Sequence, residues 1–201
     1  INATDLEKEL NVNKCYLLND WESIGYSLPL MTQKDFKNIK KGNIDSSQTC
    51  LAIGPGTGLG FSVLRHIGTI PYVYPTELGN TRSYNEHLSK LFEIESFSNF
   101  TVLEDYLSGT GIKKIYAEKS GKKLTTEEIV SSYNEDDLAT FVLNNFVLAM
   151  SNILQDLALT FNARGGIFFA GSLMRTISEM SSINYIKDCL LYTSPSPRDS
   201  C

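Results

Sequence analysis

The chain of 201 residues contains only four cysteines and six prolines, and it lacks a long hydrophobic run. The cysteines lie at positions 15, 50, 189 and 201, without the paired spacing that zinc sites and disulfide frameworks use. We find no apolar run near the length that crosses a bilayer and no signal peptide. These absences predict no membrane partner, no protein-held metal, and a protein of the reducing cytoplasm.

An excess of positive charge is also lacking. The net charge is -5, and the only local basic cluster is formed by Lys37, Lys40 and Lys41. Without a basic patch, we expect no nucleic-acid partner. The composition, with 42% hydrophobic and 20% charged residues, is typical of a globular chain that forms one domain, or one domain and part of another.

Both ends of the chain are unusual. The sequence begins with Ile1, without a methionine, inside a predicted helix over residues 3–10. Composition changes abruptly at residues 190–201, which are rich in serine and proline. We expect residues 1–189 to be part of a longer protein and residues 190–201 to be a non-native tail. The alternative for the tail is a disordered segment open to phosphorylation.

The most informative segment is a glycine-rich stretch at residues 52–60, with the sequence AIGPGTGLG. Glycines let consecutive backbone N–H groups turn toward an anion such as phosphate. The strand-like residues 61–67 follow, whereas Rossmann and Walker loops open a helix, and no Lys-Ser or Lys-Thr closes the segment. The pattern predicts a β-hairpin whose tip holds phosphate. The alternative is a tight hairpin without a ligand.

The order of the remaining segments predicts an α/β fold. Strands are expected at residues 14–18, 49–53, 59–67, 71–74 and 167–170, and the three central ones are expected to be antiparallel neighbours. Helices are expected at residues 3–10, 21–28, 84–97, 108–119, 125–133, 135–162 and 173–180. Thr125 and the glutamates after it indicate a capped helix start.

Five short motifs resemble bacterial-type glucokinases in their order and spacing. They occupy residues 17–20, 54–60, 75–80, 107–111 and 165–171, and the resemblance extends from residue 1 to about residue 187. It implies an actin-like ATPase (ribonuclease H-like) fold, of which residues 1–189 supply mostly the large domain of a two-domain sugar kinase. The family's first phosphate loop, Asp-x-Gly-Gly-Thr, is absent from this sequence. The resemblance also implies ATP and Mg²⁺ as cofactors and a homodimer.

The activity implied is the ATP-dependent phosphorylation of glucose to glucose 6-phosphate. Such a transfer needs a carboxylate to accept the proton of the alcohol. Asp20 is the candidate general base, expected where the strand over residues 14–18 ends. The resemblance makes Asn19 and Asp20 sugar ligands. The residues alone favour the alternative that the pair is the N-cap of the following helix, and it is the ordered set of motifs that favours the sugar site.

Three further residues are candidate sugar ligands by the resemblance: Glu77, Asn80 and Glu104. Asn80 stands where the family generally has histidine, which leaves the choice of hexose open. The alternative for Glu104 is an exposed acid in a loop or a first helical turn.

For the nucleotide, the resemblance implies two groups of residues. Gly56, Thr57 and Gly58 would lie at the phosphates; Gly109, Gly111, Gly171 and Ser172 would lie near the adenosine. Each glycine pair could equally form an ordinary turn or cap. Mg²⁺ would be held mainly by ATP oxygens and water.

Two other functions stay open. One is a sugar-responsive transcription regulator of the related repressor and kinase group, and the other is a non-catalytic binding protein with an actin-like fold. We further expect this chain alone to be impaired or inactive as a kinase, because both domains must close on the substrate to exclude water.

Overall fold

The computed structural model describes residues 2–189 except residues 43, 44, 46 and 96. The predicted tail at residues 190–201 lies outside the described residues. The strands are β1 (Cys50–Pro55), β2 (Leu59–Ile67), β3 (Ile70–Tyr74) and β4 (Gly166–Phe169). The helices are α1 (Ala3–Glu9), α2 (Asp20–Ser27), α3 (Asn85–Phe92), α4 (Gly109–Ser120), α5 (Thr126–Ser131), α6 (Asp137–Thr160), α7 (Ser172–Ile177) and α8 (Asn184–Cys189).

The four strands form one mixed sheet in the order β3-β2-β1-β4. β1 and β2 are antiparallel, with Gly54 opposite Gly60, and β2 and β3 are also antiparallel. β4 runs parallel to β1, with Leu51 opposite Ile167. The structure confirms the α/β class, the hairpin at the glycine-rich segment and the antiparallel arrangement of the three central strands.

Helices cover both faces of the sheet, which explains why every residue of β1 is buried. Leu51 and Ile53 point into the main core beside the long helix α6. Cys50 and Ala52 point to the other face, where α2 packs. Burial raises the pKa of the Cys50 thiol to about 11, so the thiol stays neutral and unreactive at physiological pH.

Side-chain caps define where the helices near the glycine segment begin. Asn19 and Glu22 form a capping box at the start of α2, and the Ser108 hydroxyl accepts a hydrogen bond from the Gly111 N–H at the start of α4. The predicted cap at Thr125 is confirmed, with Glu128 completing its capping box. Each cap satisfies backbone N–H groups that have no partner within their helix.

The predicted strand at residues 14–18 is wrong. This segment has no regular structure, and Tyr16, Leu17 and Leu18 are 78%, 52% and 49% exposed. A strand needs a neighbour for its backbone groups, and the described sheet ends at β3 and β4 without reaching this segment. Asp20 therefore follows an extended segment, not a strand of the sheet.

Two other predicted elements differ in extent or burial. The helix expected over residues 84–97 ends at Phe92, because Glu93 adopts a left-handed conformation with φ 55° and stops the helix. β4, expected to be a buried strand, is half-buried at all four positions. Among the described residues it has a strand neighbour on one side, which leaves its other edge uncovered.

Helix α6 is the element that tests the expectation that the chain has no apolar run long enough to span a bilayer. The helix has 24 residues, and an 18-residue stretch of it has a mean hydropathy of 1.3, so α6 is long and apolar enough to cross a membrane by length and composition alone. However, 56% of that stretch is buried, and residues such as Val142, Phe146 and Ile153 lie in the main core. A core helix of a globular protein meets the same length test, so α6 is weak evidence for a membrane span.

Candidate active site

The tip of the β1–β2 hairpin, residues 56–58, is here called the glycine turn. The Gly56 N–H donates to the carbonyl oxygen of Gly58 at 2.8 Å, which closes the turn. Gly56 and Thr57 are exposed, and a Cβ placed on Gly56 would meet no atom within 4 Å. The tip therefore leaves its backbone accessible, as the binding of an anion requires.

The start of α4 is hydrogen-bonded to the glycine turn. The Gly109 N–H donates to the Gly56 carbonyl oxygen at 2.7 Å, and the Thr126 hydroxyl donates to the Gly109 carbonyl oxygen at 2.9 Å. Gly109 and Gly111 are both buried. A Cβ on Gly111 would lie 2.7 Å from the Tyr106 backbone. Close packing thus explains both glycines, and they hold the helix start against the turn.

The predicted pair Gly171 and Ser172 lies beside the end of β1. The Ala170 N–H donates to the Ile53 carbonyl oxygen at 3.0 Å, and a Cβ on Gly171 would lie 3.8 Å from the Pro55 carbonyl oxygen. Gly171 has φ 102°, a conformation that side chains rarely adopt. Both residues are exposed, so the structure places them next to the glycine turn and open to solvent.

Asp20 reaches the same hairpin through its neighbour, Trp21. A Cβ on Gly60 would lie 1.5 Å from Trp21 Nε1, and one on Gly54 would lie 2.4 Å from Trp21 Cη2. The indole therefore lies directly on the two glycines, in space that any other residue would fill. Asp20 is the residue directly before Trp21, at the start of α2.

The helix cap at Asn19 and Asp20 leaves atoms free for a ligand. The Asn19 Oδ1 atom accepts from the Glu22 N–H at 2.8 Å, and Asp20 Oδ1 accepts from the Trp21 N–H at 3.0 Å. The capping alternative is thus realised by Asn19. The helix cap uses neither the side-chain amide donor of Asn19 nor Asp20 Oδ2, and both side chains are exposed. Capping and sugar binding are compatible at this position.

Glu104 lies between the glycine turn and the loop that carries Glu77. Its Oε2 atom accepts from the Leu59 N–H at 3.2 Å and would lie 2.6 Å from a Cβ on Gly58. The same oxygen would lie 3.0 Å from a Cβ on Gly79. Glu104 is half-buried in a short 3-10 turn, Leu103–Asp105. The alternative of an exposed acid is therefore wrong in its exposure: Glu104 does lie in a turn, but its half-buried carboxylate accepts the Leu59 N–H beside the glycine turn.

Glu77 precedes a second 3-10 turn, Leu78–Asn80, and Asn80 is the last residue of that turn; both residues are exposed. The Asn80 side-chain amide donates to Glu77 Oε2 at 3.1 Å, which leaves Glu77 Oε1 available. Gly79 packs against the Leu59 backbone, where its Cβ would lie 2.9 Å from the carbonyl oxygen. The loop thus meets β2 beside Gly60, on which Trp21 lies.

Asp105 stabilises the turn that presents Glu104. Burial of this carboxyl would raise its pKa, but hydrogen bonds from Lys114 and from the backbone N–H groups of Thr101 and Val102 outweigh that effect. The pKa of Asp105 is therefore lowered, and the carboxylate remains charged. The charged Asp105 carboxylate accepts the backbone N–H groups of Thr101 and Val102, and it thereby holds the turn that presents Glu104.

The described part of the chain contains no group of side chains suited to a metal, and two surface depressions lie away from the predicted site residues. Among the described residues, no group of three or more His, Cys, Asp or Glu side chains could hold a metal ion. A depression of about 270 Å³ lies against α6 and α8, lined in part by Asn144 and Ser182. Another of about 300 Å³ lies between α3 and α6, lined in part by His87 and Asp156. Neither is lined by a predicted site residue.

Two residues that the sequence analysis did not select contribute to the candidate site. Trp21 covers Gly54 and Gly60, and Thr126 connects α5 to the start of α4. The signal for Trp21 was available, because it is the only tryptophan and directly follows Asp20. Nothing local distinguishes Thr126 from an ordinary residue of a first helical turn.

The sequence of this chain is similar to those of known proteins. A family model described as glucokinase matches residues 1–185. The glucokinase of Colwellia psychrerythraea is 26% identical over an alignment that covers 91% of this chain and 59% of that protein. The chain therefore spans less than two thirds of the length of this curated relative.

Solved structures show the same fold. A glucokinase from an Antarctic psychrotroph is 24% identical with a TM-score of 0.76, over 94% of this chain and 65% of that one. A ROK family glucokinase from Streptomyces griseus, solved in complex with glucose and AMPPNP, is 14% identical with a TM-score of 0.58, over 95% and 62%. These likenesses confirm the actin-like ATPase fold of the sugar kinases.

Proposed function

The chain belongs to the glucokinase family, and from this premise we propose that the whole protein is an ATP-dependent hexose kinase that converts glucose to glucose 6-phosphate. The observation that supports the proposal is the meeting of the sequence motifs at one hairpin. Trp21 brings Asp20 to it, Glu104 and the Glu77 loop reach Leu59, and Gly109 bonds to Gly56. Phosphoryl transfer needs sugar, base and phosphate site within a few ångströms.

The sugar would be held by the exposed polar atoms around this hairpin. The Asn19 amide can donate, while Glu77 and Glu104 offer carboxylate oxygens that accept from neighbouring hydroxyls. Asn80 orients Glu77 through the hydrogen bond between their side chains. Such directional contacts discriminate among hexoses, because a missing hydroxyl would leave a polar group unpaired.

Asp20 would act as the general base. Its Oδ1 atom accepts the Trp21 N–H, which orients the carboxylate, and its Oδ2 atom has no donor among the described residues. Oδ2 would take the proton of the C6 hydroxyl while that oxygen forms a bond to the γ-phosphorus. The bond from the γ-phosphorus to the β–γ bridging oxygen breaks, and ADP leaves with the electron pair.

The glycine turn would receive the phosphates of ATP. Gly56 and Thr57 are exposed and Gly56 has open space where a side chain would be, so the turn fits a bulky anion. Gly58 lies beside Glu104, and Gly171 and Ser172 flank the end of β1 toward the adenosine. Mg²⁺ bound to the phosphate oxygens would supply neutralisation of their charge. No metal-ligand group among the described residues is needed for this role.

Several finer points belong to the same proposal. We infer that the protein acts in the cytoplasm as a homodimer, and that residues 1–189 are mostly its large domain. Residues 1–187 alone should turn over poorly, since closure of a second domain is needed to exclude water from the transfer.

The proposal is tested by a coupled kinase assay on the full-length gene product with glucose and ATP. Asp20→Asn keeps an acceptor for the Trp21 N–H but removes the base, so kcat should fall by at least 100-fold, within the range for general-base catalysis. Asp5→Asn is the matched control, because Asp5 is an exposed residue in the first turn of α1. Retention of most activity in Asp20→Asn would exclude Asp20 as the base.

Calorimetry of the full-length wild type separates the other functions. Glucose binding without turnover would favour a sugar-responsive regulator. Absence of both glucose and ATP binding would leave a non-catalytic protein with the same fold.

A further inference from the structure

Trp21 lies on a surface that the sequence makes flat. Gly54 and Gly60 are opposite each other in the pairing of β1 with β2. Their missing side chains leave a smooth area two strands wide, here called the indole seat, and Trp21 fills it. A Cβ on Gly54 would also lie 2.4 Å from the Ala170 carbonyl oxygen, so both Trp21 and Ala170 crowd the position of the missing side chain.

The indole seat links two parts of the candidate site. Gly54 is two residues before Gly56 on the same chain, a separation of about 7 Å in an extended strand. At the start of α2, Trp21 directly follows Asp20, and the backbone N–H of Trp21 donates a hydrogen bond to the Asp20 carboxylate. The contact of the Trp21 indole with Gly54 and Gly60 therefore fixes the position of the start of α2 relative to the glycine turn.

We propose that Trp21 is a positioning residue that sets the separation between Asp20 and the glycine turn. The inference rests on the proposed kinase function and extends it to a residue outside the set proposed to bind glucose or ATP. Glycines have no side chains that could rearrange, and the ring occupies the space of their missing Cβ atoms beside the Ala170 carbonyl oxygen, so the separation is narrowly defined. A displacement of about 1 Å in such a site costs about 100-fold in rate.

Ile24 offers a matched control on the same helix. It packs against the cluster that contains Cys50, Ala52 and Val73, as Trp21 does. Ile24 contributes none of the three atoms nearest to a Cβ on Gly54 or on Gly60; those atoms belong to Trp21 and Ala170. Removal of Ile24 weakens the packing of α2 on the sheet but leaves the indole seat occupied.

The first experiment compares Trp21→Ala, Trp21→Phe and Ile24→Ala in the full-length protein. We expect Trp21→Ala to lower kcat at least 30-fold with KM for ATP changed less than threefold, since no residue of the glycine turn is replaced. Trp21→Phe should retain kcat within fivefold, and Ile24→Ala within threefold. An equal loss in Ile24→Ala, or a kcat within threefold of wild type in Trp21→Ala, overturns the inference. If Trp21→Ala does not fold, Trp21→Leu replaces it under the same criteria.

A second measurement does not depend on activity. Amide hydrogen exchange is followed at Gly56, whose N–H bonds within the turn, and at Leu59, whose N–H bonds to Glu104. Trp21→Ala should accelerate exchange at both amides at least tenfold, and Ile24→Ala less than threefold. Unchanged exchange in Trp21→Ala overturns the positioning role. An inactive wild type with the expected exchange pattern instead refutes the kinase proposal and leaves the positioning of the turn supported.

Discussion

The Glu104 carboxylate accepts a hydrogen bond from the backbone N–H of Leu59 at 3.2 Å, directly after the glycine turn. Leu59 is the first residue of β2 and lies opposite Pro55 in the hairpin. Its N–H needs an acceptor, and a side chain 45 residues further along the chain supplies it. The same side chain also faces the Glu77 loop, so one carboxylate connects the proposed phosphate and sugar regions.

Two substitutions at Glu104 should separate these two contributions. Glu104→Gln keeps an acceptor for the Leu59 N–H but loses the charge, so KM for glucose should rise about tenfold with KM for ATP nearly constant. Glu104→Ala also leaves the Leu59 N–H unpaired, which costs about 1–3 kcal/mol in the free energy of unfolding. Steady-state kinetics and urea unfolding measure both effects. Glu118→Gln, on the exposed surface of α4, is the control; equal effects there would contradict the assignment.

Asn19 allows capping to be distinguished from sugar binding. Aspartate caps helices as well as asparagine does, so Asn19→Asp should leave the melting temperature nearly unchanged while removing the side-chain amide donor. We expect KM for glucose to rise at least fivefold in Asn19→Asp. Asn19→Ala should show the same rise and in addition lose about 1 kcal/mol of stability. An Asn19→Asp protein with wild-type kinetics would show that Asn19 is a cap alone.

The indole seat predicts a compensating pair of substitutions. Gly60→Ala forces a methyl group into the Trp21 ring and should destabilise the protein by about 1–3 kcal/mol through overpacking. In a Trp21→Ala background the same methyl has room, so Gly60→Ala should cost less than about 1 kcal/mol there. Chemical unfolding of the four proteins of this double-mutant cycle measures the difference. Additive costs would mean that the ring does not occupy the seat in solution.

Asp105 should make stability depend on pH in the acidic range. Its folded-state pKa is lowered because hydrogen bonds from Lys114, Thr101 and Val102 outweigh the opposing effect of burial. The stabilisation is therefore fully present above the unfolded pKa, about 3.9, and is lost as pH falls through the folded pKa. Asp105→Asn should lower the free energy of unfolding by about 1 kcal/mol at pH 7. The difference from wild type should shrink below pH of about 3.9; a constant difference from pH 7 to 2 would contradict this origin.

Much of the fold near the site follows from local sequence. The glycines at positions 54, 56, 58 and 60, followed by a β-branched and aromatic run, specify a hairpin instead of a phosphate loop before a helix. Ser108, Thr125 and Asn19 are residue types that cap helices, and each of them does so. These features depend on backbone geometry and hydrogen bonds within a few residues, which is why a pattern can reveal them.

Residues 14–18 show where local pattern fails. Their apolar character is the same whether the segment pairs as a strand or lies exposed, and only the presence of a neighbouring strand decides between the two. The described sheet provides none. The end of the helix at Phe92 is similar, since no glycine marks it and Glu93 itself takes the left-handed conformation.

By itself, the sequence determined the hairpin, the helix caps and the chemical character of each candidate ligand, because these are properties of short segments. Only the tertiary structure decided that Trp21 lies on Gly54 and Gly60 and that Glu104 bonds to Leu59. Both contacts join residues more than 30 positions apart. Their formation depends on how α2 and the Glu104 turn pack against one hairpin, and the free energy of that packing comes from burial across the whole core.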